Sequence, residues 1–246
     1  MALKTLSYLD RVRLVNGSDM CRSYFRELCE REPKRAVSLI NDKKLLFVSL
    51  FMLMPEIEER GIYEHLNTRN TIAIKICRKI LKIDSFLIES REEVYGVLKW
   101  MLISGANDDG LSSEYDRIID GVSSLLINTY TDKALLKVVA DVIFRRNRRG
   151  AFIHDLVWAF FGANDPNALR IIAEFLRSNV KEDIDLAYKL LNLEPNSENG
   201  YRDRHKQYLS YLSWVKENYP YIIFTGESFN LTSNPKPVSV DLGGRL

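Results

Sequence analysis

Residues 168–195 read ALRIIAEFLRSNVKEDIDLAYKLLNLEP. Two helical patterns sit in this stretch, one over 165–178 and one over 181–193, joined by a short polar link. Its second half has a counterpart upstream. Asp185-Leu186-Ala187-Tyr188-Lys189-Leu190-Leu191 matches Asp155-Leu156-Val157-Trp158-Ala159-Phe160-Phe161 in character and order. Each is preceded by a helix with an Ala-Leu start, Ala134-Leu135 in one case and Ala168-Leu169 in the other. The spacing is roughly 30 to 34 residues, the length of a helix-pair repeat. Gly-Ala-Asn-Asp also occurs twice, at 105–108 and 162–165. Gly is expected to end one helix and Asn/Asp to cap the next.

Working outward, the same grammar covers most of the chain. Leu3, Leu6, Leu9, Val12 and Val15 step by three along a first helix, which Asn16-Gly17 stops. Ser18-Asp19 are expected to cap a second, carrying Met20, Tyr24, Phe25 and Leu28 inward. Pro33 opens a third at a position that needs no amide partner. The run from Leu45 to Met54 is about half the ~20 residues needed to span a bilayer, so it predicts a helix buried on all sides and ended by Pro55. Glu56, Glu58 and Glu59 would then open the following short helix. A stripe of Ile72, Ile76, Ile80 and Ile83 and a set of Val94, Leu98, Met101 and Leu102 mark two more helices. Further helical patterns run over 112–128, 131–146, 149–161 and 199–218. Before residue 220 no segment alternates with period two. The fold class expected is all-α: one domain over 1–220 of irregular stacked antiparallel helix pairs, followed by an extended tail over 221–246.

The repeat in 168–195, and more widely in 131–195, resembles α-solenoid proteins of the HEAT or tetratricopeptide type, HEAT-like being the better description. The resemblance implies stacked helix pairs whose grooves serve as binding surfaces for other proteins; a minority of such families bind nucleic acid.

Composition excludes some alternatives. Against 35 Lys+Arg stand 33 Asp+Glu, a formal net charge of +2. No global field draws the 246-residue chain to nucleic acid or to an anionic membrane, so any such contact needs a local patch. The first residues are interrupted by Lys4, Asp10, Arg11 and Arg13 and hold no signal-peptide core. Cys21, Cys29 and Cys77 are odd in number and match no metal framework. Free thiols packed in a core suit a reducing compartment, and the location expected is cytoplasmic.

No catalytic set is legible. His65, His154 and His205 are far apart in sequence, and neither an HExxH motif nor a Gly-rich phosphate loop is present. Thr225–Asn230 lacks the closing Gly and the following helix of a nucleophile elbow. Asn107, Asp109, Gly110 and Asp116 fall short of a calcium loop, because Gly105 holds the position of the first carboxylate. The chain is therefore expected to be non-enzymatic, with no cofactor and no metal.

Two surfaces remain. Arg145, Arg146, Arg148 and Arg149 crowd a helix end, where the dipole favours cations and where guanidiniums can also clamp phosphate. Tyr208, Tyr211 and Trp214 belong to an aromatic concentration with Tyr201, Tyr219 and Tyr221, suited either to closing a core or to receiving a partner. The tail adds a third element. Tyr221 to Phe224 favour extended backbone, Thr225-Gly226 a turn, and Val238, Val240 and Leu242 alternate with polar residues. The first part is expected to pack on its own chain; for residues 235–246 packing on the chain and looseness or docking on a partner are equally open. A protein-binding scaffold without membrane contact is the leading expectation, with nucleic-acid binding through the arginines as the alternative.

Overall fold

The structure is a computed structural model and describes residues 5–82, 91–193, 204–227, 232, 236–241 and 243. Among them are twelve α-helices and one two-stranded sheet, so the fold is all-α with a small extended appendix. The chain divides into two compact units, residues 1–122 and 123–246. The expectations for Ile83, Tyr201, Pro235 and Leu242 lie outside the described residues.

The first unit holds α1 (Tyr8–Asn16), α2 (Ser18–Arg31), α3 (Pro33–Ile40), α4 (Phe47–Glu59), α5 (Thr68–Ile80), α6 (Arg91–Gly105) and most of α7 (Ser113–Ser124). α4 is its core. Phe47, Val48, Leu50, Met52, Leu53 and Ile57 are all buried, and α1, α2, α5 and α6 pack around them. Its start has no side-chain cap of its own. Asp10, buried on α1, fills that role: it accepts from Leu46 N–H at 3.1 Å and from Ser49 Oγ at 2.6 Å. An anion at a helix start meets the unpaired amides and the positive end of the dipole together. Arg13, one turn on, donates to Ser49 Oγ and to Asp108 at 2.8 Å, which ties α1 to the turn after α6.

Pro55 does not end α4, which continues to Glu59. Pro55 is exposed, so the ladder loses a bond only on the solvent side, while Glu56 and Ile57 beyond it are buried and hold the last turn. Glu56, Glu58 and Glu59 therefore sit at the unfavourable C-terminal end of a helix rather than at the start of one. Arg26 to Glu56 at 3.2 Å and Arg78 to Glu58 at 2.7 Å offset this. Two faces are rotated from expectation. α2 buries Cys21 with Phe25 and Leu28 and leaves Met20 exposed, and α5 buries Ala73, Ile74, Ile76 and Cys77 in place of Ile72 and Ile80. Ser18 lies inside α2, whose N-terminal cap is Gly17, with no side-chain bond.

The second unit holds a π-helical turn (Leu125–Thr129), α8 (Leu136–Arg148), α9 (His154–Phe161), α10 (Asn167–Glu174), α11 (Lys181–Leu190), α12 (Arg204–Asn218), β1 (Ile222–Phe224) and β2 (Val238–Val240). α8 packs against α9, α10 and α11, and α10 against α12. Phe144 of α8 stacks on Phe175, which follows α10, with ring centroids 3.5 Å apart. Helix ends here use Asn as well as Gly in the left-handed region. Asn164 follows α9 at φ 48°, Asn192 follows α11 at φ 52°, and Gly150 follows α8 at φ 64°. Residues 149–153 therefore form a turn, not the first part of a helix.

The two Gly-Ala-Asn-Asp motifs reach similar turns by a different route from that expected. Neither Gly has positive φ. A Cβ at Gly105 would lie 2.5 Å from Tyr115 Oη and 2.9 Å from Phe47, and one at Gly162 2.7 Å from Asn128 Oδ1. Close packing, not backbone freedom, calls for Gly at 105, between buried Tyr115 and Phe47, whereas at 162 the nearest atom is the end of the exposed Asn128 side chain, which can move aside. In the second motif Asp165 accepts from Asn167 N–H at 2.8 Å, as a cap should.

Candidate functional site

The arginine cluster ends α8, and its members diverge. Arg145 is half-buried and donates to the Asp141 carbonyl. Arg146 is 2% exposed and donates to the Phe152 carbonyl, which closes the turn into α9. Arg148 makes a two-pronged contact with Asp183 on α11, both N···O distances 2.7 Å. Ser178 Oγ adds a third donor to the same carboxylate at 2.7 Å. Asn147 donates to the Glu182 carbonyl beside it. Arg149 is exposed at the helix end. The bond to Asp183 raises the Arg148 pKa above its ordinary value. Two of the four guanidiniums thus join elements of the fold.

The aromatic set on α12 is more continuous. Tyr208, Tyr211 and Val215 are buried along one face. Tyr208 donates to Glu174 Oε1 of α10 at 2.6 Å, and Arg177 lies 5.1 Å from its ring centroid. The bond to Glu174, then burial, pushes its hydroxyl pKa up. Tyr211 stacks against Trp214, centroids 5.4 Å apart, and its buried hydroxyl has no hydrogen-bond partner among the described residues. Burial pushes that hydroxyl's pKa up as well, so it stays protonated at neutral pH.

The C-terminal strands complete the surface. β1 and β2 pair antiparallel with Ile222 opposite Val240 and Phe224 opposite Val238. Alternation puts these four half-buried side chains on one face and Ile223, 48% exposed, on the other. Side-chain bonds close the far end: Thr225 Oγ1 donates to the Lys236 carbonyl at 2.5 Å, and Lys236 N–H donates to Glu227 Oε2 at 2.9 Å. A two-stranded hairpin is marginal alone. This one lies over α9, α11 and α12 and leaves space beneath it.

That space is a trough of two adjoining cavities. The smaller, about 220 Å³, lies between α9 and the hairpin turn and is lined by His154, Trp158, Phe161, Leu190, Phe224 and Glu227 among others. The larger, about 510 Å³, lies between α12 and β2, lined by Tyr188, Gln207, Tyr211, Trp214, Val238 and Val240 among others. Leu190 and Pro237 border both. Of the binding residues expected from the sequence, Tyr211 and Trp214 line this trough, together with His154 and the tail residues Phe224, Val238 and Val240. Tyr208 borders a separate shallow groove with Glu174, and the arginines line neither cavity. Trp158, 46% exposed, and Glu227 belong to the site and were not expected as binding residues. The signal available for Trp158 was its place in the repeat opposite Tyr188, which lines the neighbouring cavity.

The smaller cavity is walled mainly by apolar and aromatic side chains, with His154, Asn164 and Glu227 as its polar members, while the larger adds Asn192, Gln207, Ser210 and Ser239 to its aromatic wall. Among the described residues no group of three or more His, Cys, Asp or Glu side chains is placed to hold a metal, and no helix is long and apolar enough to cross a membrane. Compared with protein-family models, curated proteins and solved structures, the chain matches none.

Proposed function

We propose that this protein is a non-enzymatic scaffold of HEAT-like stacked helix pairs that binds another protein, with the trough beneath the C-terminal hairpin as its docking surface. The observation that carries the reading is the pair of adjoining aromatic-lined cavities, with Trp158 and Trp214 only partly covered. Tyr and Trp at a partly open cleft supply large contact area at low entropic cost, which is why interface centres are rich in them. Nucleic-acid binding through Arg145, Arg146, Arg148 and Arg149 draws less support, because Arg146 is buried and Arg148 is held by Asp183.

Affinity capture from lysate of the source cells tests this, comparing the native chain, Trp158→Ser and a paired Arg145→Glu, Arg149→Glu variant, each with and without nuclease. The reading expects a protein that survives nuclease and is lost with Trp158→Ser. Recovery that is abolished by nuclease and by the arginine variant would replace it with the nucleic-acid reading.

A further inference from the structure

The smaller cavity combines two features that constrain its occupant. Its walls present the aromatic side chains of Trp158, Phe161 and Phe224, and the only carboxylate among its lining residues is that of Glu227. Among the described residues that line it there is no second carboxylate and no Lys or Arg; its other ionisable side chain is the His154 imidazole. Glu227 is exposed but not loosely placed: its N–H donates to Thr225 Oγ1 and its Oε2 accepts from Lys236 N–H, so the hairpin turn fixes a residue that borders the cavity. An aromatic face attracts a cation through its quadrupole, and a nearby carboxylate adds to that attraction. A purely apolar guest would gain nothing from the carboxylate, whose Oε2 already accepts from Lys236 N–H. A small anion would meet negative charge and negative ring faces. Lysine and arginine have the matching shape, an apolar stem with a cationic head.

We propose that the smaller cavity receives a lysine or arginine side chain of the partner protein, its stem against Trp158, Phe161 and Phe224 and its head beside Glu227. This rests on the reading of the trough as a protein-docking surface. It adds the chemistry of the occupant: the partner presents a cation there.

The test uses the full chain and two small probes, N-acetyl-lysine N-methylamide and its norleucine counterpart, which has the same stem without the ammonium. Each is titrated while the indole N–H signals of Trp100, Trp158 and Trp214 are followed by NMR. The lysine probe should shift Trp158 and bind at least about fivefold tighter than norleucine, from cation–π and ion-pair contributions together. Glu227→Gln keeps an oxygen to accept Lys236 N–H, so the turn survives, and it should cut the preference by about threefold. Trp158→Leu keeps an apolar wall without a π face and should reduce it further. Equal or tighter binding of norleucine, a preference unchanged in Glu227→Gln, or no Trp158 response to either probe would each overturn the proposal. Protein capture that needs Trp158 without any lysine preference would overturn the cation assignment alone. A lysine preference without Trp158-dependent capture would overturn the assignment of that cation to a protein partner.

Discussion

Replacing Arg148 by Ala strips a buried carboxylate of its main partner. Asp183 is fully buried, and two of its three hydrogen bonds come from the Arg148 guanidinium, each at 2.7 Å. Ser178 alone would remain. Breaking a buried ion pair in this way costs about 3–5 kcal/mol where no water can enter. Arg148 is itself 41% exposed along its side chain, so the gap it leaves opens to solvent and the carboxylate recovers part of its hydration. A loss of about 2–3 kcal/mol is therefore expected. The sign of the partner change is the sharper test. Asp183→Asn in the Arg148→Ala background removes the stranded charge and keeps an acceptor for Ser178, so the double variant should be more stable than Arg148→Ala alone by about 1 kcal/mol. Urea unfolding measures both. Trp158 and Trp214 report the second unit and Trp100 the first, so only the transition followed by the first two should move. A loss under about 1 kcal/mol, or a double variant less stable than the single one, would refute the claim that this contact anchors α8 to α11.

Other expectations follow from the same geometry. Asp10→Ala leaves the start of α4 without its acceptor and should destabilise the first unit by about 2–4 kcal/mol, read from the Trp100 transition. Gly105→Ala forces a Cβ against Tyr115 and Phe47 and should cost about 1–3 kcal/mol, whereas Gly96→Ala, with nothing within 4 Å, should stabilise α6 by about 0.5–1 kcal/mol in the same unfolding assay. Burial pushes the Cys21 thiol up to about 11 from 9.0. The unfolded chain ionises first, so stability should be whole below pH 9 and fall as pH rises from 9 towards 11, and Cys21→Val should flatten that fall. Thiol labelling under native conditions should reach half-buried Cys29 before Cys21 or Cys77.

Helix content was legible because period and punctuation agree along most of the chain. Ala168 to Leu191 holds two helices where its pattern places them, and Pro33 opens α3 as a first-turn proline should. What failed was face and role. Met20 and Cys21 are neighbours, and a periodicity that admits either does not say which meets the core. Pro55 reads as a stop until the burial of Ile57 is known. The glycines at 105 and 162 look like helix terminators, but neither has positive φ, and the need at 105 is spatial, set by Tyr115 and Phe47, to which no sequence pattern points. The site was visible only in part. The alternation of Val238 and Val240 did not say whether residues 235–246 pack on their own chain, as β2 does against β1, and Tyr211 and Trp214 marked an aromatic surface, yet the trough exists only where the hairpin meets α9, α11 and α12. Arg148 looked like a phosphate clamp because its partner, Asp183, lies 35 residues away. Charge density along a sequence does not reveal which charges the fold consumes.

Site-specific photo-crosslinking tests the central claim most directly. A benzoylphenylalanine placed at position 158, inside the trough, is compared with one at position 149, at the end of the arginine cluster, in cells and then after nuclease treatment. The account predicts a discrete protein adduct from position 158 that nuclease leaves intact. Adducts from position 149 alone, lost on nuclease treatment, would contradict it.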